Sequence, residues 1–136
     1  MVIMKLRMAL SLLLFFSALG VVLNAEKKAK ANTEMNLHDF MEDFTKPATK
    51  LYDKKDNADY LNKILEKVPD MAPEDQKAEW KEIVDAKLSV GKPDETCKSC
   101  HTKFKKEYKA KYRKKLIVIP EELLGFPKEI KELLKK

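Results

Sequence analysis

Both cysteines of the chain and one of its two histidines fall within the stretch ETCKSCHTKF, as Cys97, Cys100 and His101. Cysteines three apart on a helix point to one side, and the next residue is held beside them. Two thiols in that register can each add to a vinyl group of one porphyrin while the adjacent imidazole binds its iron. This is the Cys-x-x-Cys-His pattern of haem c attachment. A place near a helix start also favours thiolate, the form that reacts. Other chemistries use the same side chains. Zinc wants four ligands, so His38 or a carboxylate would have to complete the set. A thioredoxin-type dithiol site needs βαβ surroundings, and a short disulfide loop needs only the two thiols.

The elements that must carry these groups read as helices. Three glycines in 136 residues, with 37% of residues charged, suit helices with solvated Lys/Glu faces rather than a turn-rich β protein. Leu37, Phe40, Met41, Phe44, Ala48 and Leu51 make a first apolar stripe, which Pro47 should kink. Leu61, Ile64, Leu65 and Val68 make a second, behind a cap at Asp56 or Asn57 and ended by Pro69. Pro73 opens a third, with Trp80, Ile83, Val84 and Leu88, which VGKP stops. The fourth runs from about Asp94 to Lys115, with Cys97, His101, Phe104, Tyr108 and Tyr112 at helical spacing. Short connections make consecutive helices antiparallel neighbours, so the expected fold is all-α, an up-down antiparallel four-helix bundle over residues 35–115. Only LIVI at 116–119 could compete as a strand.

Residues 1–25 carry Lys5 and Arg7 ahead of an apolar run, then small residues at Ala18, Gly20 and Ala25. This is the layout of a secretory signal peptide; an uncleaved anchor is the alternative, although Met8 to Leu23 falls short of the ~20 residues that comfortably span a bilayer. Residues 26–34 read as a solvated leader. Either way the rest of the chain is expected outside the cytoplasm, in the periplasm or on the envelope, where free thiols are capped, bridged or ligated.

Four helices in this order, with CKSCH at the start of the last and HTKFKKEYKAKYR after it, resemble the class II c-type cytochromes, the cytochrome c-prime group. The likeness covers roughly residues 35–115. It implies one covalent haem c lying within the bundle, thioether links at Cys97 and Cys100, His101 as proximal iron ligand and Phe104 packing on the haem. It also implies that a first-helix residue faces the open side of the iron. Met41 on the inward stripe is the candidate sixth ligand, and a thioether there raises the reduction potential; packing the core is the other use of such a residue. His38 is a second candidate, and Met35 and Met71 are weaker ones. The short middle helices predict a more exposed haem than the family's. Lys105 stands where the family often has Arg, and Lys46 or Lys50 would have to serve a propionate.

Lys98, Lys103, Lys105, Lys106, Lys109, Lys111, Arg113, Lys114 and Lys115 surround the motif, opposed within that stretch only by Glu107, in a chain of net charge +6. Such a field would steer acidic redox proteins to a haem edge, or is simply a solvated helix face. Anionic lipid is a further partner for it. Nucleic acid is not expected of an exported chain without an aromatic–basic reading surface. Residues 116–136 lie outside the resemblance as a C-terminal amphipathic extension, expected to pack over the bundle, to join a homodimer or to lie on a membrane surface. Together these features predict a non-enzymatic, exported monohaem carrier of single electrons between redox partners. A five-coordinate haem protein that binds NO or CO for sensing or detoxification is the second reading, and a non-haem zinc or dithiol module the third.

Overall fold

Asn36 marks where extended chain becomes helix: its side-chain oxygen accepts the Asp39 N–H at 2.9 Å, satisfying a donor that the first helical turn leaves unpaired. The structure is a computed structural model that describes residues 33–136. The expectations for residues 1–25 and for most of the leader lie outside the described residues. Glu34–Lys136 form one compact unit.

That unit is mostly helical. The first helical stretch comprises α1 (Leu37–Phe40), a π-helical segment (Met41–Thr45) and α2 (Lys46–Lys55). The Lys46 N–H donates to the Met41 carbonyl five residues back. Pro47 enters at the first turn of α2, just past this wide turn, so its missing N–H is absorbed by a shift of register rather than by a break. The extra residue in the turn also rotates the buried stripe. Thr45 becomes buried beside Phe44 while Met41 is left half-buried, a difference from the simple 3.6-residue pattern.

Helix α2 ends at Asp56 in the left-handed region (φ 53°), and Asn57 rather than Asp56 accepts the Asp59 N–H that starts α3 (Asp59–Lys67). Two 3-10 turns, Val68–Met71 and Glu74–Gln76, lead to α4 (Lys77–Leu88). Gly91, at φ 70°, lets the chain reverse, and the Lys92 N–H closes on the Lys87 carbonyl. Pro93 then opens α5 (Pro93–Lys111) at the position where a missing N–H costs nothing.

Helix α4 packs along α5, α2 on α3, and α4 on the 3-10 turn at Val68–Met71. Phe40 and Phe44 stack at 4.7 Å and Trp80 and Phe104 at 5.2 Å, filling the interior with aromatic rings.

The LIVI segment does form a strand. β1 (Glu34–Asn36) pairs antiparallel with β2 (Leu116–Val118), with Met35 opposite Ile117. After a 3-10 turn at Glu121–Leu123, α6 (Phe126–Lys135) packs on α2. Ile117, Ile119, Leu123, Phe126 and Ile130 belong to the same core as the earlier helices. Each side chain so buried contributes about 1.5–3 kcal/mol, so residues 116–136 are an integral part of the fold. Tyr60 fastens α6 to α3, its hydroxyl donating to Glu129 at 2.9 Å. Among the described residues no helix is long and apolar enough to cross a membrane.

Candidate functional site

Helix α5 carries Cys97, Cys100 and His101, and its packing decides where they face. The buried side of the helix runs through Thr96 and Phe104, flanked by half-buried Cys100 and Tyr108. His101, expected on the inward stripe, instead lies on the exposed side. The signal missed in the sequence was Thr96, a polar residue only 1% exposed, whose hydroxyl has no hydrogen-bond partner. With Thr96 and Phe104 on the inner side, the imidazole lies on the outer one.

The start of α5 is held by charge. Glu95 accepts from Lys87 of α4 at 2.7 Å and from Lys92 at 2.9 Å, and these two ammonium groups hold its carboxyl down at about 2. About two turns on, Lys103 pairs with Glu79 of α4 and lies over the Phe104 ring at 5.4 Å from its centroid. Gln76 completes the seam, donating to Glu107 at 3.1 Å and accepting from the Trp80 indole at 3.3 Å.

Cys97 and Cys100 are both free and half-buried. Burial raises the Cys97 thiol above its ordinary value against the lowering effect of its own backbone, with smaller raising effects from the Asp94 and Asp53 carboxylates and a lowering one from the Thr49 side chain. Thr49 and Asp53, both on α2, are therefore neighbours of the first thiol that the sequence did not single out. Cys100 is pushed up to about 11, by burial first and by Cys97 second. The helix-start effect expected to favour thiolate is thus outweighed by desolvation, and both groups are thiols at neutral pH. His101 is shifted the other way, below its usual value, by burial and then by Lys105. Its ring is neutral at pH 7, with nitrogen lone-pair capacity for a metal.

The other candidates lie elsewhere. Met41 is half-buried against the core, and its sulfur accepts the Thr45 hydroxyl at 3.3 Å. His38 is exposed, with Nδ1 3.5 Å from the neighbouring Asp39 carboxylate. Met71 is buried in its 3-10 turn, and Met35 packs partly beneath the sheet. Phe104 is buried and stacked on Trp80. Lys46 is engaged with Glu42 at 2.7 Å.

Metal and haem make different demands on the Cys-x-x-Cys-His set. A zinc site needs its ligands to converge on one point, yet no three His, Cys, Asp or Glu side chains among the described residues are grouped to hold a metal ion. Haem attachment needs two unbridged thiols on one side of a helix, separate from the metal, and an unengaged imidazole next to them. That donor set fits: Cys97 and Cys100 are unbridged, and among the described residues His101 makes no hydrogen bond or ion pair. Two hollows among the described residues are not lined by Cys97, Cys100 or His101. One, of about 490 Å³, lies between Tyr60 and the Lys128–Leu133 side of α6. The other, of about 280 Å³, lies between α4 and the Ser99–Lys103 flank of α5. The comparisons with known proteins give no match, whether to a family, to a curated protein or to a solved structure.

Proposed function

We propose that the chain is an exported monohaem c-type cytochrome of the four-helix-bundle kind, a carrier of single electrons rather than an enzyme. The observation that carries this reading is the Cys97–Cys100–His101 set on α5: two unbridged thiols beside an exposed, unengaged imidazole, in the order that haem c attachment uses. Cys97 and Cys100 would hold the group through thioether links, and His101 would bind its iron. When bound, haem c supplies an Fe(III)/Fe(II) couple.

The chain's own residues do the rest. Packing on α4 and the Glu95 clamp fix the orientation of α5, the motif helix. The stacked Trp80 and Phe104 fill the interior behind it, which supports a haem with an open edge and gives Phe104 its role in packing behind the motif. Lys98 before His101 and Lys105 and Lys109 after it lie along the exposed side of α5 and make no ion pair among the described residues, whereas Lys103 and Lys111 on its flanks are paired with Glu79 and Glu107. The unbalanced charge therefore gathers on the histidine side, which suits an acidic redox partner docking there. The apolar run in residues 8–23 supports a periplasmic or envelope location.

Acid–acetone treatment followed by intact mass tests the reading on protein matured in a host able to attach haem. The expected mass is that of the processed chain plus one haem, and Cys97→Ala/Cys100→Ala abolishes the increment. A wild-type mass equal to bare polypeptide overturns the reading.

The contact from Thr45 to the Met41 sulfur favours a second reading of the same haem site, in which the far side of the iron stays open and binds NO or CO. A carbon monoxide difference spectrum separates the two.

A further inference from the structure

Strand β2 exposes the wrong residues for a strand that serves only the fold. Ile117 points into the core, opposite Met35 on β1. The alternation that buries it turns Leu116 and Val118 outward, 60% and 67% exposed. Directly before them come Arg113, Lys114 and Lys115, all exposed and without an ion pair among the described residues. Elsewhere on the surface many cations are neutralised, as in Lys67–Glu122, Lys77–Glu74, Lys81–Asp85 and Lys135–Glu132. Against these three cations the sheet sets one acid, Glu34, across from Val118, and Glu74, whose carboxyl is held down first by Lys77 and then by Lys115, offsets part of the third.

We propose that Arg113–Val118 is a docking surface for an anionic lipid bilayer. Leu116 and Val118 enter the boundary between headgroups and acyl chains, and the three cations lie among the lipid phosphates. Charge selects this occupant: a second copy would bring the same three cations against themselves. The inference does not depend on haem.

The test is hydrogen–deuterium exchange of the full chain on vesicles of phosphatidylcholine alone and with 30% phosphatidylglycerol added, read by mass spectrometry at residues 112–119. Exchange there is expected to slow at least fivefold on the anionic vesicles relative to the neutral ones, and high salt removes the difference. Arg113→Gln/Lys114→Gln/Lys115→Gln loses the lipid dependence, and so does Leu116→Ser/Val118→Ser. The charge variant leaves the strand intact, so the test holds even if the apolar variant fails to fold. Equal exchange on the two vesicle types overturns the proposal. So does slowing that depends on protein concentration without lipid, which assigns the strand to a second copy.

Discussion

The ring of Phe104 stacks on the indole of Trp80 at 5.2 Å, while His101, three residues earlier on the same helix, faces solvent. One turn of α5 is thereby divided between holding the fold and presenting a ligand. The first role is measurable without haem. Phe104→Ala is expected to cost about 3–5 kcal/mol of stability through the lost ring and the cavity it leaves. Urea unfolding of the haem-free chain measures this, and a loss below 1 kcal/mol contradicts the packing.

Met41 is the candidate sixth ligand of the six-coordinate reading. Met41→Ala in the haem-loaded chain is expected to open the iron to carbon monoxide and to lower the reduction potential. Redox titration and the gas difference spectrum check both. Wild-type protein that already binds the gas, with Met41→Ala unchanged, assigns the five-coordinate reading. His38→Ala is expected to change neither property, because that imidazole is engaged by the neighbouring Asp39 carboxylate at 3.5 Å.

The Cys100 thiol, at about 11 against an ordinary 9, predicts slow alkylation before haem is attached. At pH 8 its thiolate fraction is roughly a hundredfold below that of an unperturbed thiol. Iodoacetamide labelling followed by peptide mass mapping measures the rate. The same shift has a consequence for stability. The folded state holds this proton to higher pH than the unfolded state, so stability falls as pH rises from about 9 toward 11. Cys100→Ala should flatten that slope in thermal melts of the haem-free chain.

Glu95 titrates in the opposite sense. Its carboxyl is depressed to about 2 by Lys87 and Lys92, so its contribution is present above the ordinary 4.5 and lost as pH falls from there to about 2. Glu95→Gln is expected to melt at a lower temperature than wild type at pH 6, with the gap closing by pH 2. A constant gap across that range excludes the clamp.

Much of this arrangement was legible in the order of residues. The stripes of Leu37, Phe40, Phe44, Ala48 and Leu51, and of Leu61, Ile64 and Leu65, are buried as helical spacing requires, and Gly91 and Pro93 mark helix boundaries, whereas Pro73 opens only the 3-10 turn Glu74–Gln76 and α4 starts at Lys77. What was hidden depends on contacts distant in sequence or on departures from regular pitch. A π turn adds one residue to a cycle, so a fixed 3.6-residue template carries Met41 too far inward and leaves Thr45 outside. The outer position of His101 accompanies the burial of Thr96, which no polarity pattern foretells. The partners of Cys97 on α2 are likewise invisible, since Thr49 and Asp53 meet it only through packing.

Because Met35 finds its partner in Ile117, β1 cannot be completed until residue 118 has left the ribosome. Until then the nascent helices lack this seam, along with the Ile119, Leu123 and Ile130 contacts. The core therefore closes late, on its C-terminal residues.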